Sequence, residues 1–150
     1  MKKGNNNMIY LASPFFTEKE QKVYKKVVDY LRSTCGEKIF VPQEHEIENA
    51  WKLPNEEWGN LVFGMDLQAL MKCDEVVVLN WGMYSDSGTA WECGAAYALG
   101  KKITLVLCNP DSSVYSLMMV NGCHSVIKLD DFLENRFYES KTVMDSISQK

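Results

Sequence analysis

The chain has 150 residues, of which 46% are hydrophobic and 24% are charged, and its formal net charge is −4 with a pI near 5.2. This length and composition predict one globular domain with a full hydrophobic core. The acidic balance argues against a nucleic-acid partner, and no apolar run reaches the roughly 18 residues that a membrane span requires.

The five cysteines are odd in number and scattered, and no two of them have CxxC spacing. Cysteine and histidine do not cluster in a metal-ligand pattern, so no metal site is predicted. This usage is typical of a reduced, cytoplasmic protein in which cysteines serve as small core residues.

The chain begins with a polar stretch, residues 1–7, that has no periodicity and predicts a disordered tail, which leaves residues 8–150 as the single domain. Residues 8–12 form the first strand candidate, ended by Ser13 and Pro14. Thr17 follows with Glu20 three residues later, which is the spacing of a helix capping box.

Residues 38–41 predict a short second strand, followed by a long polar loop at 43–53. A helix is then predicted from Asn55, with an apolar face. Asp66 lies inside that face, since apolar residues stand at positions −4, +3, +4 and +7 from it. A buried carboxylate is costly, so Asp66 is either a site residue or an acid that caps a loop or reaches solvent.

The central stretch is a Val-rich apolar run at 75–81, typical of a strand buried on both faces, followed by a turn and a helix. Asp86 or Ser87 can cap that helix. Glu92 then falls within about its first two turns, where the helix macrodipole favours negative charge. Taken alone, this stretch favours the simpler interpretation, in which Glu92 is an ordinary acid near the N-terminus of a capped helix.

Two further short strands are predicted at 102–107 and 124–127, with helical segments near 116–120 and from Asp130 onward. The alternation of strands and helices predicts an α/β fold: a doubly wound, about five-stranded parallel sheet in a flavodoxin-like or Rossmann-like three-layer sandwich. The chain has neither GxGxxG nor GxxxxGK[ST], so no cofactor is expected.

Three pieces in order carry a family resemblance: Ile9 to Phe16, then Asp66, then the D-x-G-x-x-x-E-x-G-x-A pattern from Asp86 to Ala96. Together they resemble the nucleoside 2-deoxyribosyltransferase family. The resemblance implies exchange of nucleobases on 2′-deoxyribonucleosides by double displacement, through a covalent deoxyribosyl-glutamate intermediate. The implied partners are small molecules, deoxynucleosides and free bases.

The resemblance also implies roles by position. Glu92 matches the nucleophile, Asp66 the acid near the base, and Tyr10 the tyrosine whose hydroxyl orients the nucleophile. The implied substrate-binding residues are Asp86, which matches the residue that holds the sugar 5′-hydroxyl, with Gly88, Ser13, Phe16, Ser116 and Glu46.

The resemblance further implies a homo-oligomer, a dimer or hexamer, whose active sites borrow a residue from the adjacent subunit. That residue is usually the Asn of an Asn-Leu-Met motif. This chain has Ser116-Leu117-Met118 at the matching place. A single hydroxyl therefore replaces an amide at the borrowed sugar contact.

The residue environments predict a division of labour between the two acids. Desolvation should favour the neutral form of Asp66, whereas the helix N-terminus should favour the charged form of Glu92. Carboxyls in opposed environments suit an acid and a nucleophile.

Two alternatives stay open. A deoxynucleoside 5′-monophosphate N-glycosidase is favoured by Ser116 but disfavoured by Asp86, which would repel a phosphate, and by the absence of Arg from the first loop. A non-catalytic nucleotide-sensing module is the second alternative.

Several other residues are predicted with simpler roles. For His45 and Glu46 the alternatives are a substrate contact and a position in a solvated loop, of which the loop is favoured, and His124 is predicted to be structural. Phe16 and Trp81 are the aromatic residues predicted to stack on a base, because each follows a predicted strand.

Overall fold

The computed structural model describes residues 7–36 and 38–134. Its sheet has five strands in the order β2-β1-β3-β4-β5, all parallel, which confirms the predicted fold class. The strands are β1 (Ile9–Ala12), β2 (Ile39–Phe40), β3 (Glu75–Asn80), β4 (Lys102–Leu107) and β5 (Ser125–Lys128).

Within residues 7–36 and 38–134, five α-helices connect and flank these strands. They are α1 (Glu18–Cys35), α2 (Asn55–Lys72), α3 (Ser87–Ala98), α4 (Leu117–Gly122) and α5 (Leu129–Leu133). None of the helices within the described residues is both long and apolar enough to cross a membrane.

Local sequence signals set the helix ends. The side chain of Thr17 accepts from the Glu20 amide at 3.2 Å while the Glu20 carboxylate accepts from the Thr17 amide at 2.8 Å, which completes the predicted capping box. Gly36 ends α1 with a φ of 67°, a conformation that favours glycine. Asp86, rather than Ser87, caps α3 by accepting from the Thr89 amide at 2.8 Å.

The core consists of two apolar layers, one on each face of the sheet. Alternate residues of β1 face opposite layers, so that Tyr10 packs with α2, α3 and α4 while Leu11 packs with α1 and α5. Helices therefore cover both faces, as buried parallel strands require. This alternation is what aims the Tyr10 side chain at α3.

Some predictions fall partly or wholly outside what the structure describes. The tail predicted at residues 1–7 lies outside it except for Asn7, and the C-terminal segment after residue 134 lies outside as well. The polar loop at 43–53 is confirmed as lacking strands and α-helices, but it includes two short 3-10 turns, Pro42–Glu44 and Ala50–Lys52.

Candidate active site

The site begins with a hydrogen bond between β1 and α3. Tyr10 lies in the middle of β1, paired in register with Val76 of β3, and its side chain is fully buried. Its hydroxyl donates to Oε2 of Glu92. Because β1 and β3 are neighbours and α3 follows β3, the topology brings together two residues that are 82 positions apart.

The carboxyl group of Glu92 lies in a desolvated environment. Burial raises the pKa of its carboxyl to about 7, the Tyr10 hydrogen bond acts in the opposite direction, and the charges of Asp66 and Asp86 add to the rise. The prediction that the helix N-terminus would keep the charged form favoured is therefore wrong on balance. Burial outweighs a macrodipole effect that is typically worth about 0.3–1 kcal/mol.

Asp66 projects from α2 toward the same place. Burial raises the pKa of its carboxyl, as the apolar helix face predicts, and a positive charge on His45 opposes that rise. Its Oδ1 atom is buried, and no hydrogen-bond partner for it is found among the described residues. An unsatisfied buried oxygen is costly, and it is typical of a site that a ligand completes.

Asp66 and Glu92 line one cavity of about 380 Å³, between α2 and the first half of α3. Its walls include three aromatic side chains: Trp58 and Phe63 come from α2, and Trp91 comes from α3. The rings of Phe63 and Trp91 meet edge to face at 5.3 Å. A volume of this size, apolar except for two acids, is typical of small-molecule binding.

A second cavity of about 620 Å³ adjoins the first, and the two share Trp58 and Val62 as lining residues. The loop after β2 forms its other wall, with His45, Glu46 and Trp51. The Trp51 side chain is 80% exposed, so the mouth of this cavity presents an aromatic face to solvent.

Asp86 and Gly88 lie at the start of α3, next to the acid pair. Oδ2 of Asp86 accepts from both the amide and the hydroxyl of Thr89, at 2.8 and 2.9 Å. Gly88 lines the cavity of Asp66 and Glu92, and a Cβ atom there would lie 3.2 Å from Oδ2 of Asp86. The lack of a side chain at Gly88 leaves the approach to Asp86 open.

Ser116 lies elsewhere. It precedes α4 and lines a third cavity of about 530 Å³, against the face of α3 that carries Cys93, Gly94 and Tyr97. Within one chain the structure therefore does not bring Ser116 to Asp66 and Glu92.

Other predicted contacts are also placed apart from the acid pair. Neither Ser13 nor Phe16 is among the residues that line the cavity of Asp66 and Glu92. The Ser13 hydroxyl donates to the Pro14 carbonyl at 2.8 Å, and Phe16 is 78% exposed. Their contact with substrate stays a prediction.

Trp81 packs, partly buried, against the apolar layer that faces α1 and α5, and it is not among the residues that line the cavity of Asp66 and Glu92, so its stacking on a base stays a prediction. The aromatic residues beside the two acids are Trp58, Phe63 and Trp91 instead. Trp58 and Phe63 stand eight and three residues before Asp66 on α2, and Trp91 directly precedes Glu92 on α3. The helical spacing on α2 was the signal available in sequence, but it is equally typical of core residues.

His124, in contrast, is placed as predicted. Its Nδ1 atom accepts from the Ile103 amide at 3.0 Å, and its own amide donates to the Ile103 carbonyl at 3.0 Å. The side chain thus extends the pairing between β4 and the start of β5, which is a structural role.

The geometry defines a class of protein before any relative is considered. A parallel sheet with a site beside a helix that follows a central strand is typical of α/β enzymes. Two carboxyls around one cavity are the arrangement used for breaking glycosidic bonds.

Comparison with known proteins identifies the family. The sequence profile for nucleoside 2-deoxyribosyltransferase matches residues 9–140. A nucleoside deoxyribosyltransferase from Lactobacillus leichmannii is 26% identical over 148 residues, which covers 87% of this chain and 94% of that protein. The chain belongs to the nucleoside 2-deoxyribosyltransferase family, whose members are pentosyltransferases.

Solved structures agree on the fold. A 2-deoxyribosyltransferase from Bacillus psychrosaccharolyticus is 32% identical with a TM-score of 0.73, covering 95% of this chain and 98% of that one. A CMP N-glycosidase from Clostridium botulinum is 20% identical with a TM-score of 0.57, covering 86% and 97%. At that identity, the second likeness speaks for the fold alone.

Proposed function

We propose that this protein is a nucleoside 2-deoxyribosyltransferase that exchanges nucleobases on 2′-deoxyribonucleosides through a covalent deoxyribosyl intermediate on Glu92. The observation that carries the proposal is the hydrogen bond from the Tyr10 hydroxyl to Glu92, together with the position of Asp66 in the same cavity as Glu92. The family's sequence model and the Lactobacillus relative support the same reaction.

The proposed first step is a displacement at the anomeric carbon of the sugar. A carboxylate oxygen of Glu92 forms a bond to C1′ while the C1′–N bond breaks and its electron pair leaves with the base. Positive charge develops on the sugar in this step, and an adjacent carboxylate stabilises it. The Tyr10 hydroxyl fixes the orientation of the carboxylate by donating to Oε2.

Asp66 supplies the proton that the leaving base requires. Burial keeps its carboxyl protonated to higher pH than an exposed aspartic acid, which suits a general acid. In the second step an incoming base attacks C1′, returns a proton to Asp66 and releases Glu92. Two displacements at one carbon give net retention.

The aromatic cavity is proposed to hold the base. Flat rings stack on Trp58, Phe63 and Trp91, and each such contact is typically worth about 1 kcal/mol. The sugar then lies toward Gly88 and Asp86, whose carboxylate can accept from the 5′-hydroxyl. Glu46 lines the adjoining cavity, within the proposed base-binding side.

Ser116 is proposed to act in the site of a neighbouring subunit. Large apolar side chains that line the same cavity are exposed, including Tyr97 at 63% and Met118 at 76%. An exposed apolar patch of this kind marks an interaction surface. A homo-oligomer, dimer or hexamer, would cover it and would carry Ser116 to the sugar of the adjacent site.

The alternative is a 2′-deoxynucleoside 5′-monophosphate N-glycosidase. Ser116 favours it, because the hydroxyl of this residue can donate a hydrogen bond to a phosphate oxygen. Asp86 weighs against it, because its charge lies close enough to Glu92 to raise the pKa of that residue and would repel a phosphate at the same end of the site.

A chromatographic assay separates the two. Purified protein is given deoxyinosine with and without adenine, and separately deoxyinosine monophosphate, beside a Glu92→Ala control. New deoxyadenosine that needs adenine and is lost in the control supports the transferase. Free base from the monophosphate but not from the nucleoside would replace it with the hydrolase, and inactivity on both would favour a sensing module.

A further inference from the structure

Two of the five cysteines are in contact. Sγ of Cys93, on α3, lies 3.7 Å from Sγ of Cys123, the residue that follows α4, and the two thiols share a hydrogen bond. Cys93 is 4% exposed, and Cys123 packs, partly buried, against the same apolar layer. The two residues are 30 positions apart in sequence, so the packing of α4 on α3 is what brings their sulfurs together.

The other cysteines have different neighbours. The Cys73 thiol donates to the Leu70 carbonyl at 3.1 Å, and the Cys108 thiol donates to the Val106 carbonyl at 3.4 Å. Burial raises the pKa of both thiols, to about 12 for Cys108. Thiols in such environments are inert. The sulfur of Cys35 contacts a hydroxyl of its own helix.

The contact makes the two thiols of the pair unequal. A thiolate on Cys93 accepts the hydrogen bond of the Cys123 thiol, which lowers the pKa of Cys93 and raises the pKa of Cys123. The thiolate is the nucleophilic form of cysteine, so oxidation starts most readily at Cys93. A second thiol in contact with an oxidised cysteine condenses with it to a disulfide.

A small oxidant can reach Cys93 through a cavity. The side chain of Cys93 lines the cavity of about 530 Å³ that α3 and α4 enclose. Ser85 lines the same cavity, and its Oγ atom is buried with no hydrogen-bond partner among the described residues. A small polar molecule in the cavity can supply that missing partner. Hydrogen peroxide is both polar and small enough for a cavity of this size to admit it.

We propose that Cys93 and Cys123 form a reversible oxidation site, at which hydrogen peroxide converts the two thiols into an intramolecular disulfide that ties α4 to α3. The Cys93 thiolate attacks one peroxide oxygen, so that an S–O bond forms, the O–O bond breaks, and the departing hydroxide takes up the proton that Cys93 released. The Cys123 sulfur then attacks the sulfur of the resulting sulfenic acid and loses its own proton. The S–O bond breaks, and its oxygen leaves as water. Two thiols are thereby oxidised, and one peroxide is reduced to two water molecules.

The disulfide should also slow catalysis, and this consequence rests on the proposed function. The two sulfurs must approach from 3.7 Å to about 2.05 Å when they bond. Cys93 directly follows Glu92 on α3, so a shift of this helix acts on the proposed nucleophile and on the hydrogen bond that Glu92 accepts from Tyr10. Because a displacement of about 1 Å can cost on the order of a hundredfold in rate, we expect oxidation to lower kcat by about tenfold or more.

Peptide mapping tests whether the disulfide forms. The folded protein is treated with hydrogen peroxide, its remaining thiols are alkylated, and it is digested with trypsin and a Glu-specific protease, which together separate Cys93 from Cys73. Tandem mass spectrometry should find the Cys93 peptide linked to Cys123, rather than to Cys108 of the same tryptic peptide. The link should be lost on reduction with a dithiol and absent from Cys123→Ala.

Cys35→Ala is the matched control, because Cys35 packs with the layer on the opposite face of the sheet from Cys93. This variant should form the link as the parent does. Absence of the link from the peroxide-treated folded protein would overturn the proposal. So would a link that forms only after the protein is unfolded in urea, since the packing of α4 on α3 would then play no part in it.

Activity is the second readout. The parent, Cys123→Ala and Cys35→Ala are assayed before oxidation, after it, and after reduction with a dithiol. The parent and Cys35→Ala should lose activity on oxidation and regain it on reduction, whereas Cys123→Ala should keep its activity throughout. Full activity of the linked parent, or an equal loss in Cys123→Ala, would overturn the proposed effect on catalysis. A protein that forms the link but transfers no deoxyribose when reduced would instead disprove the proposed function.

Discussion

The Tyr10 hydroxyl on β1 donates a hydrogen bond to Oε2 of Glu92 on α3, and this contact joins the sheet to the helix that carries the proposed nucleophile. It stabilises the ionised form of Glu92 while burial favours the neutral form. The balance between these two effects determines when the nucleophile is available.

That balance predicts the acid limb of the pH profile. The Glu92 carboxyl has a pKa of about 7 and must be ionised to attack, so kcat/KM should rise through about pH 7. Initial rates between pH 5 and pH 9, at low donor concentration, measure this limb. A limb centred at the value of an ordinary glutamic acid would contradict the burial seen here.

Removal of the Tyr10 hydroxyl should raise the pKa of Glu92 further, because the hydrogen bond that opposes burial is lost. We expect Tyr10→Phe to move the acid limb to higher pH and to lower kcat by about tenfold, the effect of one hydrogen bond to a charged group. The pH profiles of the two proteins test this.

Tyr115→Phe is the matched control for that substitution. Tyr115 is also buried, and its hydroxyl donates to the Ser112 carbonyl at 3.1 Å, away from the acid pair. Tyr115→Phe should leave the midpoint of the acid limb at the same pH as in the parent protein. A shift of equal size in both variants would show that the effect is not specific to Glu92.

The free energy of unfolding should also depend on pH through the raised pKa of Glu92. Glu92 has a raised pKa in the folded protein, so it costs no stability below its unfolded value, near 4.5, and its full cost is present above about 7. Glu92→Gln removes that cost and still offers Tyr10 an acceptor. We expect it to stabilise the fold by up to about 3 kcal/mol at pH 8 and very little at pH 4.

Urea unfolding at the two pH values measures the difference. Glu57→Gln, which replaces an exposed acid in the first turn of α2, is the control and should show no comparable gain. A Glu92→Gln gain that is the same at pH 4 and pH 8 would exclude titration of Glu92 as its cause.

Asp66 should matter in proportion to the leaving group's need for a proton. We expect Asp66→Asn to lower kcat by about 10²- to 10³-fold with a natural base, the usual contribution of a general acid. With a donor whose leaving group departs without protonation, the loss should be less than about tenfold. Equal losses on both donors would assign Asp66 to binding rather than to proton transfer.

Much of the fold could be predicted because its signals are local. The Val-rich run of β3, the capping box at Thr17 and the cap at Asp86 each depend on residues close in sequence, and all three are confirmed. Sequence periodicity also placed Asp66 on the apolar face of α2, where it lies.

The site was less predictable because long-range packing decides it. Trp81 follows a strand, as a base-stacking residue could, but it packs, partly buried, against the layer formed with α1 and α5 rather than in the cavity of Asp66 and Glu92. The charge state of Glu92 depends on burial between α2 and α3, which no local pattern reports. His45 lies in an irregular loop, so its stack on Phe40 could not be read from spacing.

The central claim is that Glu92 carries the deoxyribosyl group, and trapping that intermediate tests it most directly. The protein is mixed with deoxyinosine, quenched in acid during turnover, digested and analysed by tandem mass spectrometry. The account predicts one added deoxyribosyl group on the peptide that contains Glu92, which is lost when adenine is supplied and deoxyadenosine forms. Turnover with no adduct on that peptide, or with the adduct on another residue, would contradict it.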